Sequence, residues 1–104
     1  MTSHEQLARQ ILQLRGQRVI LDLHLAQFYG VSTKRLNEQV RRNARRFPQE
    51  FAFILTNQEA ANLKSQIATS SWGGRRKLPR VFSEHGAIMA ATVLNSSRAI
   101  EMSV

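Results

Sequence analysis

Two short helical patterns, separated by a break of a few residues, constrain the fold of this chain most strongly. Asp22 is predicted as the N-cap of the first helix, and Gly30 can adopt the positive φ that ends it. Ser32 is predicted as the N-cap of a second helix that runs to about Ala44. Because so few residues join them, the two helices must pack directly against each other.

The residue types around this break are those of a helix-turn-helix. Ala26 is the small residue that lets one helix cross the other closely, and Gly30 follows four residues later as the turn residue. Gln39 departs from the usual pattern, because it stands where an apolar residue is common and Val40 follows it. The shared core of the two helices is then supplied by Leu25, Tyr29, Val31 and Leu36. The pattern predicts a DNA-binding helix-turn-helix, and a purely structural helical hairpin is the alternative.

The second helix has a one-sided charge distribution. Six basic residues and one acid fall between Lys34 and Arg46, whereas an ordinary solvated helix face mixes signs at four-residue spacing. Side chains suited to base edges come first, namely Thr33, Lys34, Asn37 and Gln39. Side chains suited to phosphates follow, namely Arg41, Arg42, Arg45 and Arg46. The helix is therefore predicted to read bases with its first half and to bind phosphates with its second half.

Strand patterns lie on both sides of the helical pair. A short helix is expected from Ser3, and a β-hairpin is expected from Ile11–Leu14 and Val19–Leu21 around Gly16. The apolar run Phe51–Leu55 predicts a buried strand. These alternations of helix and strand indicate an α+β protein.

The second half of the chain continues the α+β pattern. A helix over Asn57–Lys64 is predicted behind a capping box formed by Thr56 and Glu59. Two further strands are predicted over Gln66–Ser70 and Lys77–Phe82. A final helix is predicted to be capped by Ser83 and to run to about Leu94, with a buried face of Ala87, Ile88, Ala91 and Leu94.

A second basic segment lies between Trp72 and Arg80, with four basic residues and no acid. Its glycines permit a tight turn and a close approach of the backbone to a ligand. The segment therefore predicts a β-hairpin wing that contacts DNA through Arg75, Arg76, Lys77 and Arg80. Trp72 either stacks on a base or anchors the hairpin to the body of the domain.

Length and charge limit the class of protein. A chain of 104 residues predicts one domain over residues 1–104, with a core over 11–95 and the start of a C-terminal helix over 96–104. Twelve of the fifteen basic residues are arginine and the net charge is +8, which favours nucleic acid as the partner. No apolar run approaches the roughly 20 residues that span a bilayer, and the N-terminus lacks a secretory signal pattern. The sequence therefore predicts a cytoplasmic protein without a membrane partner.

Residues of catalytic or metal-binding type are scattered. The chain has no cysteine, which excludes thiolate metal sites, and His4, His24 and His85 lack metal-ligand spacing. Asp22 and His24 are interpreted as an N-cap and an exposed residue of the first helical turn. The sequence therefore predicts no enzymatic activity, no cofactor and no metal.

Several motifs in a fixed order make the chain similar to a known family. They are LAQFYGV (25–31), LNEQVRRN (36–43), RFPQEFAF (46–53), GGRRKLP (73–79) and NSSRAIE (95–101). From about Leu14 to Glu101 the chain resembles the phage-encoded "open-reading-frame-six N-terminal" (ORF6N) domain, which is grouped with the KilA-N and Bro-N DNA-binding domains. The resemblance implies a DNA-binding module of phage and prophage regulatory proteins, usually followed by a helical segment and a separate C-terminal domain.

The residues and the resemblance together predict a small winged-helix-like α+β domain that binds double-stranded DNA. Homodimers are expected to form through residues 96–104, because useful sequence specificity needs more than one copy. The candidate DNA-binding residues are Thr33, Lys34, Arg35, Asn37, Glu38, Gln39, Arg41, Arg42, Arg45, Arg46, Arg75, Arg76, Lys77 and Arg80.

Two other functions remain open at this stage. A protein-interaction module of the antirepressor type would use the apolar C-terminal residues rather than the arginines. An RNA-binding protein usually exposes aromatic side chains on a sheet. Here most aromatics occupy core-like positions, namely Phe28, Phe47, Phe51, Phe53 and Phe82.

Overall fold

The computed structural model describes residues 10–64 and 78–94, which form an antiparallel sheet of four strands with α-helices on both faces. The α+β class predicted from the sequence is thus confirmed. The predicted short helix from Ser3, the predicted strand Gln66–Ser70, the turn of the predicted wing and residues 95–104 lie outside the described residues. In chain order the elements are β1 (Ile11–Leu14), β2 (Gln17–Leu21), α1 (Asp22–Tyr29), α2 (Thr33–Arg42), a 3₁₀ turn (Ala44–Arg46), β3 (Ala52–Ile54), α3 (Asn57–Lys64), β4 (Arg80–Ser83) and α4 (Glu84–Leu94).

The sheet has the strand order β1-β2-β4-β3, and every neighbouring pair is antiparallel. Phe82 of β4 pairs with Ile20 of β2 on one side and with Ala52 of β3 on the other. Side chains alternate between the two faces of a sheet, so these three paired residues form a row that points to the same face. All three residues belong to the core that α1, α2 and α4 complete.

The opposite face of the sheet is covered by α3. Val81 of β4 pairs with Leu21 of β2 and with Phe53 of β3, and this row packs against Ala60 and Leu63 of α3. The paired centre of the sheet is buried on both faces, which explains why the central residues of β2 and β4 are consecutively apolar, whereas β1 is exposed or half-buried along its length. Of the phenylalanines expected in the core, Phe51 is half-buried and the others are buried, namely Phe28, Phe47, Phe53 and Phe82.

The β1–β2 hairpin closes through a tight turn at Arg15 and Gly16, both of which have positive φ (52° and 76°). This backbone twist matches that of the flanking strands. Arg15 is held in its unfavourable conformation by Glu59, whose two carboxylate oxygens accept hydrogen bonds from Nε and Nη2 at 2.8 and 2.9 Å. Its guanidinium also lies 4.0 Å from the centre of the Phe53 ring, which adds a cation–π contact.

The predicted capping box at the start of α3 is confirmed. The backbone N–H of Thr56 donates to Glu59 Oε1 at 2.9 Å, and the backbone N–H of Glu59 donates to Thr56 Oγ1 at 3.1 Å. Glu59 therefore holds both the helix start and the Arg15 turn.

The connection between α1 and α2 follows the sequence closely. Gly30 has a φ of 73° and its N–H bonds to the carbonyls of Ala26 and Gln27, so it ends α1 as expected. Ser32 caps α2 by accepting a hydrogen bond from the backbone N–H of Arg35 at 3.0 Å. Helix α2 ends at Arg42, before the predicted Ala44, because the chain tightens there into the 3₁₀ turn.

The predicted start of α1 is wrong by one residue. Leu21 occupies the N-cap position without a side-chain cap, and Asp22 is the first helical residue. The Asp22 carboxylate is 1% exposed and is directed into the protein. The polar residue that resembled a cap is therefore a buried charge.

Helix α4 is capped by Ser83 as predicted, because Ser83 Oγ accepts a hydrogen bond from the N–H of Gly86 at 3.2 Å. Its predicted buried face is partly wrong. Ala91 and Leu94 are buried, Ala87 is half-buried and Ile88 is 56% exposed. The other buried positions are Gly86 and Ala90. In the described part of the chain, no helix has the length and apolar character needed to cross a membrane.

We predict that Gly86→Ala destabilises the fold. A Cβ at residue 86 would lie 1.8 Å from the carbonyl oxygen of Phe51, and this oxygen accepts the backbone N–H of Ser83 at 2.9 Å, so it cannot easily move. The free energy of unfolding should fall by about 2–3 kcal/mol, despite a gain in helix propensity of about 1 kcal/mol. Urea denaturation measures this, with exposed Thr92→Ala in the same helix as the control; equal midpoints would contradict the close approach.

We also predict a pH-dependent contribution from Glu59. The hydrogen bond from Arg15, followed by that from the Thr56 backbone, lowers the pKa of Glu59 from 4.5 to about 2. A carboxyl group whose pKa is lower in the folded than in the unfolded protein stabilises the fold at pH values above its ordinary pKa of 4.5. This stabilisation is lost as the pH falls from 4.5 towards 2. The difference in unfolding free energy between wild type and Glu59→Gln should therefore be largest at neutral pH and shrink on acidification. Denaturant titrations across this range test it, and a constant difference would contradict it.

Candidate nucleic-acid interface

A surface of the described chain carries exposed cations from α2 and the 3₁₀ turn. We call it the basic surface, and it consists of Lys34, Arg41, Arg42, Arg45 and Arg46, all of which are exposed. In residues 10–64 and 78–94 the ion pairs are Arg15–Glu59 and Arg18–Glu84, neither of which involves this surface. The arrangement leaves five cations available to an anionic partner, and the half-buried Glu38 is the one acid on the same helix.

The orientation of α2 follows from its buried residues. Leu36 and Val40 are 0% and 5% exposed and face the core shared with α1 and α4. Helical periodicity places Lys34, Glu38 and Arg41 on the opposite side of the helix. The apolar pair therefore determines which residues of α2 face outward.

A buried polar network fixes the position of α2 relative to α1 and β4. Oδ2 of Asp22 accepts a hydrogen bond from the Asn37 side-chain amide at 2.9 Å and a longer one from the backbone N–H of Arg80 at 3.4 Å. Oδ1 of Asp22 accepts the backbone N–H of Leu23 at 2.7 Å. One carboxylate thus contacts the start of α1, the middle of α2 and the start of β4.

The side chain of Asn37 is directed into this network. Besides donating to Asp22, its amide nitrogen donates to the Thr33 carbonyl oxygen at 3.2 Å, and its oxygen accepts a hydrogen bond from Arg80 Nη1 at 3.0 Å. Both ends of the amide are engaged inside the protein. In this structure Asn37 joins α2 to the sheet.

Arg80 lies between the network and the basic surface. Burial lowers the pKa of the Arg80 guanidinium. The nearby carboxylate of Asp22 opposes this lowering, and the like charge of Arg41 adds to it. Arg41 and Arg80 flank a groove of about 260 Å³ whose apolar lining includes Phe47, Ala52 and Ile54. No carboxylate of the described residues lines this groove, so its charge is positive only.

Arg35 is exposed but is tied to the end of α4. Its Nη2 donates to the carbonyl oxygen of Leu94 at 2.7 Å. A cation at the C-terminal end of a helix satisfies a carbonyl that lacks an intrahelical partner. This contact explains part of the packing between α2 and α4.

The remaining predicted site residues are distributed as follows. Thr33, Glu38 and Gln39 are half-buried on α2, beside the basic surface. Arg75, Arg76 and Lys77 lie outside the described residues, and β4 begins at Arg80 rather than at the predicted Lys77.

Sequence reasoning missed the role of Asp22 and misplaced His24. His24 was predicted to be exposed but is buried, with 8% of its surface exposed. Burial lowers the pKa of His24, and the nearby carboxylate of Asp22 opposes that shift. The available signal was that Asp22 interrupts the apolar run of β2 and α1, a position where an unpartnered charge would be costly. The exposure of Ile54, which lines the groove between Arg41 and Arg80, was also missed, because Ile54 lies within an apolar strand pattern.

The geometry defines a small α+β domain whose basic surface lies on α2 and the 3₁₀ turn that follows it. The family model described as "ORF6N domain" matches residues 9–93. The chain therefore belongs to the ORF6N domain family, as its motifs predicted. Comparison with curated proteins gave no match, and comparison with solved structures gave none either. Within the described ranges, no group of three or more His, Asp or Glu side chains is arranged to hold a metal ion.

We predict that Asp22→Ala lowers the free energy of unfolding by about 2–3 kcal/mol, because it leaves half-buried donors without their hydrogen-bond acceptor. The affected groups are the Asn37 amide and the backbone N–H of Arg80. Thermal or urea unfolding measures the change. Glu50→Ala removes an exposed carboxylate and should shift stability by no more than about 0.5 kcal/mol; equal effects of the two substitutions would refute a structural role for the network.

Proposed function

We propose that this chain is the DNA-binding domain of a phage- or prophage-type regulatory protein, with α1 and α2 as its helix-turn-helix. The observation that carries the proposal is the basic surface: five exposed cations on one helix and the following turn, without an ion pair among the described residues. Membership of the ORF6N domain family supports a regulatory protein of this type. The three residues 30–32 join the helices, which is the connection length of this motif.

The arginines of the basic surface are assigned to phosphates. Arg41 and Arg42 lie in the last turn of α2, and Arg45 and Arg46 follow in the 3₁₀ turn. Guanidinium groups form paired hydrogen bonds with phosphate oxygens, and each neutralised phosphate releases condensed counterions. These contacts give affinity and register without sequence preference.

Base contacts are assigned to the first half of α2. Lys34 and Glu38 face away from the core, and these side chains are suited to guanine and cytosine edges respectively. Thr33 and Gln39 lie at the sides of the same helix. Asn37, which was a base-reading candidate on sequence grounds, is assigned to positioning the helix, since its amide is engaged by Asp22 and Arg80.

The groove between Arg41 and Arg80 is assigned to one unit of the DNA backbone. Its two cations suit a phosphate, and the apolar lining that includes Ile54 suits the adjoining deoxyribose. Arg75, Arg76 and Lys77, which precede β4 in the chain, are assigned to a second phosphate contact on the basis of the sequence.

We predict salt-sensitive binding of the full 104-residue chain to duplex DNA. About six phosphate contacts give a slope near −5 in a plot of log affinity against log salt concentration. Arg41→Ala should weaken binding to all sequences alike and reduce the magnitude of the slope by about 1. Lys34→Ala should instead change the sequences selected from a random DNA pool. Fluorescence anisotropy across a salt series, with duplex RNA of the same sequence alongside, provides the measurement.

Gln58→Glu is the matched control for these titrations. It lowers the net charge by one, as Arg41→Ala does, but it lies on α3, on the face of the sheet opposite α2. A flat salt dependence, or equal losses for Arg41→Ala and Gln58→Glu, would contradict DNA binding by the basic surface. Tighter binding to duplex RNA than to DNA would assign the surface to RNA.

A further inference from the structure

A second groove lies away from the basic surface, between the β1–β2 hairpin, α1 and the first turns of α4. Its volume is about 220 Å³, and its lining is mostly apolar, with Leu25 and Phe28 of α1 and Ala87 of α4 among the residues. Ile11 of β1 and Ile88 of α4 also line it. We call it the isoleucine groove.

The isoleucine groove contains apolar side chains that are exposed in the described part of the chain. The large hydrophobic residues exposed in residues 10–64 and 78–94 are Ile11 (40%), Ile54 (47%) and Ile88 (56%), and two of these three line this groove. A single exposed apolar side chain is ordinary, whereas neighbouring ones around an apolar depression are typical of an interaction surface. The lining of the groove is therefore typical of a surface that binds an apolar partner.

The charges at the groove are balanced and loosely paired. Arg18 Nη2 lies 3.5 Å from Glu84 Oε2, and the two side chains are 67% and 75% exposed. An ion pair this exposed contributes little to stability, because water and salt screen it. Each charge is therefore available to a partner that brings the opposite sign.

We propose that a second copy of this chain covers the isoleucine groove in a two-fold symmetric dimer. Two-fold symmetry brings the same patch together from both copies, so the patch must complement itself. Arg18 and Glu84 meet this condition, because Arg18 of each copy can face Glu84 of the other while the apolar linings meet between them. A purely acidic or purely basic partner would leave one of the two charges against a like charge.

The proposed dimer leaves the basic surface open. No residue of α2 lines the isoleucine groove, which is formed by β1, β2, α1, β4 and α4. Two copies would therefore present two basic surfaces without blocking either. The inference does not depend on DNA binding, and it differs from the sequence-based expectation that self-association uses residues 96–104.

We predict that sedimentation of the full chain without DNA shows a concentration-dependent monomer–dimer equilibrium. Ile88→Asp should raise the dimer Kd by at least about tenfold, because it places a carboxylate in the apolar contact. Ile54→Asp is the matched control: Ile54 has similar exposure (47% against 56%) but lies at the other groove. It should leave the dimer Kd unchanged.

A charge-swap cycle tests the proposed pairing between copies. Arg18→Glu and Glu84→Arg should each weaken the dimer, since each places like charges across the contact. The double variant R18E/E84R restores opposite signs and should restore the dimer Kd. Unfolding curves recorded alongside separate this effect from any change in the stability of one copy.

Cysteine substitution gives a readout that does not require the protein to tolerate a buried charge. The chain has no cysteine, so Ile88→Cys introduces a single thiol, and a short bismaleimide should join two copies through it. Ile54→Cys should cross-link much less. A monomer at every concentration would overturn the proposal, as would a dimer that is insensitive to Ile88→Asp and to the charge swaps; the latter result would assign self-association to another segment such as residues 96–104.

Discussion

The carboxylate of Asp22 is the contact on which the arrangement of the other elements depends. It is buried at the junction of β2 and α1, and it binds the Asn37 amide of α2 and the backbone of Arg80 in β4. A buried charge is costly unless it is fully hydrogen-bonded, so only arrangements that bring these three segments together are tolerated. The orientation of the basic surface relative to the sheet follows from that requirement.

Packing on both faces of the sheet explains where the functional surfaces can lie. The rows through Phe82 and Val81 are covered by helices on opposite sides, so the paired centre of the sheet offers no open face to a ligand, whereas exposed positions of β1 and β2 line the isoleucine groove. The exposed surfaces are then supplied by the outward side of α2, by the groove at Arg41 and Arg80, and by the isoleucine groove. Charge is concentrated at the first two surfaces, and apolar area is concentrated at the third.

Features governed by neighbouring residues were predictable from the sequence. Gly30, Ser32 and the Thr56–Glu59 capping box act within a single turn of chain, and each was confirmed. The basic surface was also visible as a run of like charges, and all five of its members are exposed. The prediction from helical periodicity that Ile88 of α4 is buried was wrong. Helical spacing identifies a stripe of apolar residues but not the partners available to cover the margin of that stripe.

The sequence by itself determined the element types, the turns, the family and the charge along α2, because these depend on local propensity, capping and composition. Only the tertiary structure decided that Asp22 is a buried junction rather than a cap, that Asn37 and Arg80 are joined to it, and that Ile11 and Ile88 meet at one groove. Asp22 and Arg80 are 58 residues apart in the chain. Contacts over such separations depend on how the sheet and helices assemble, and no local pattern encodes them.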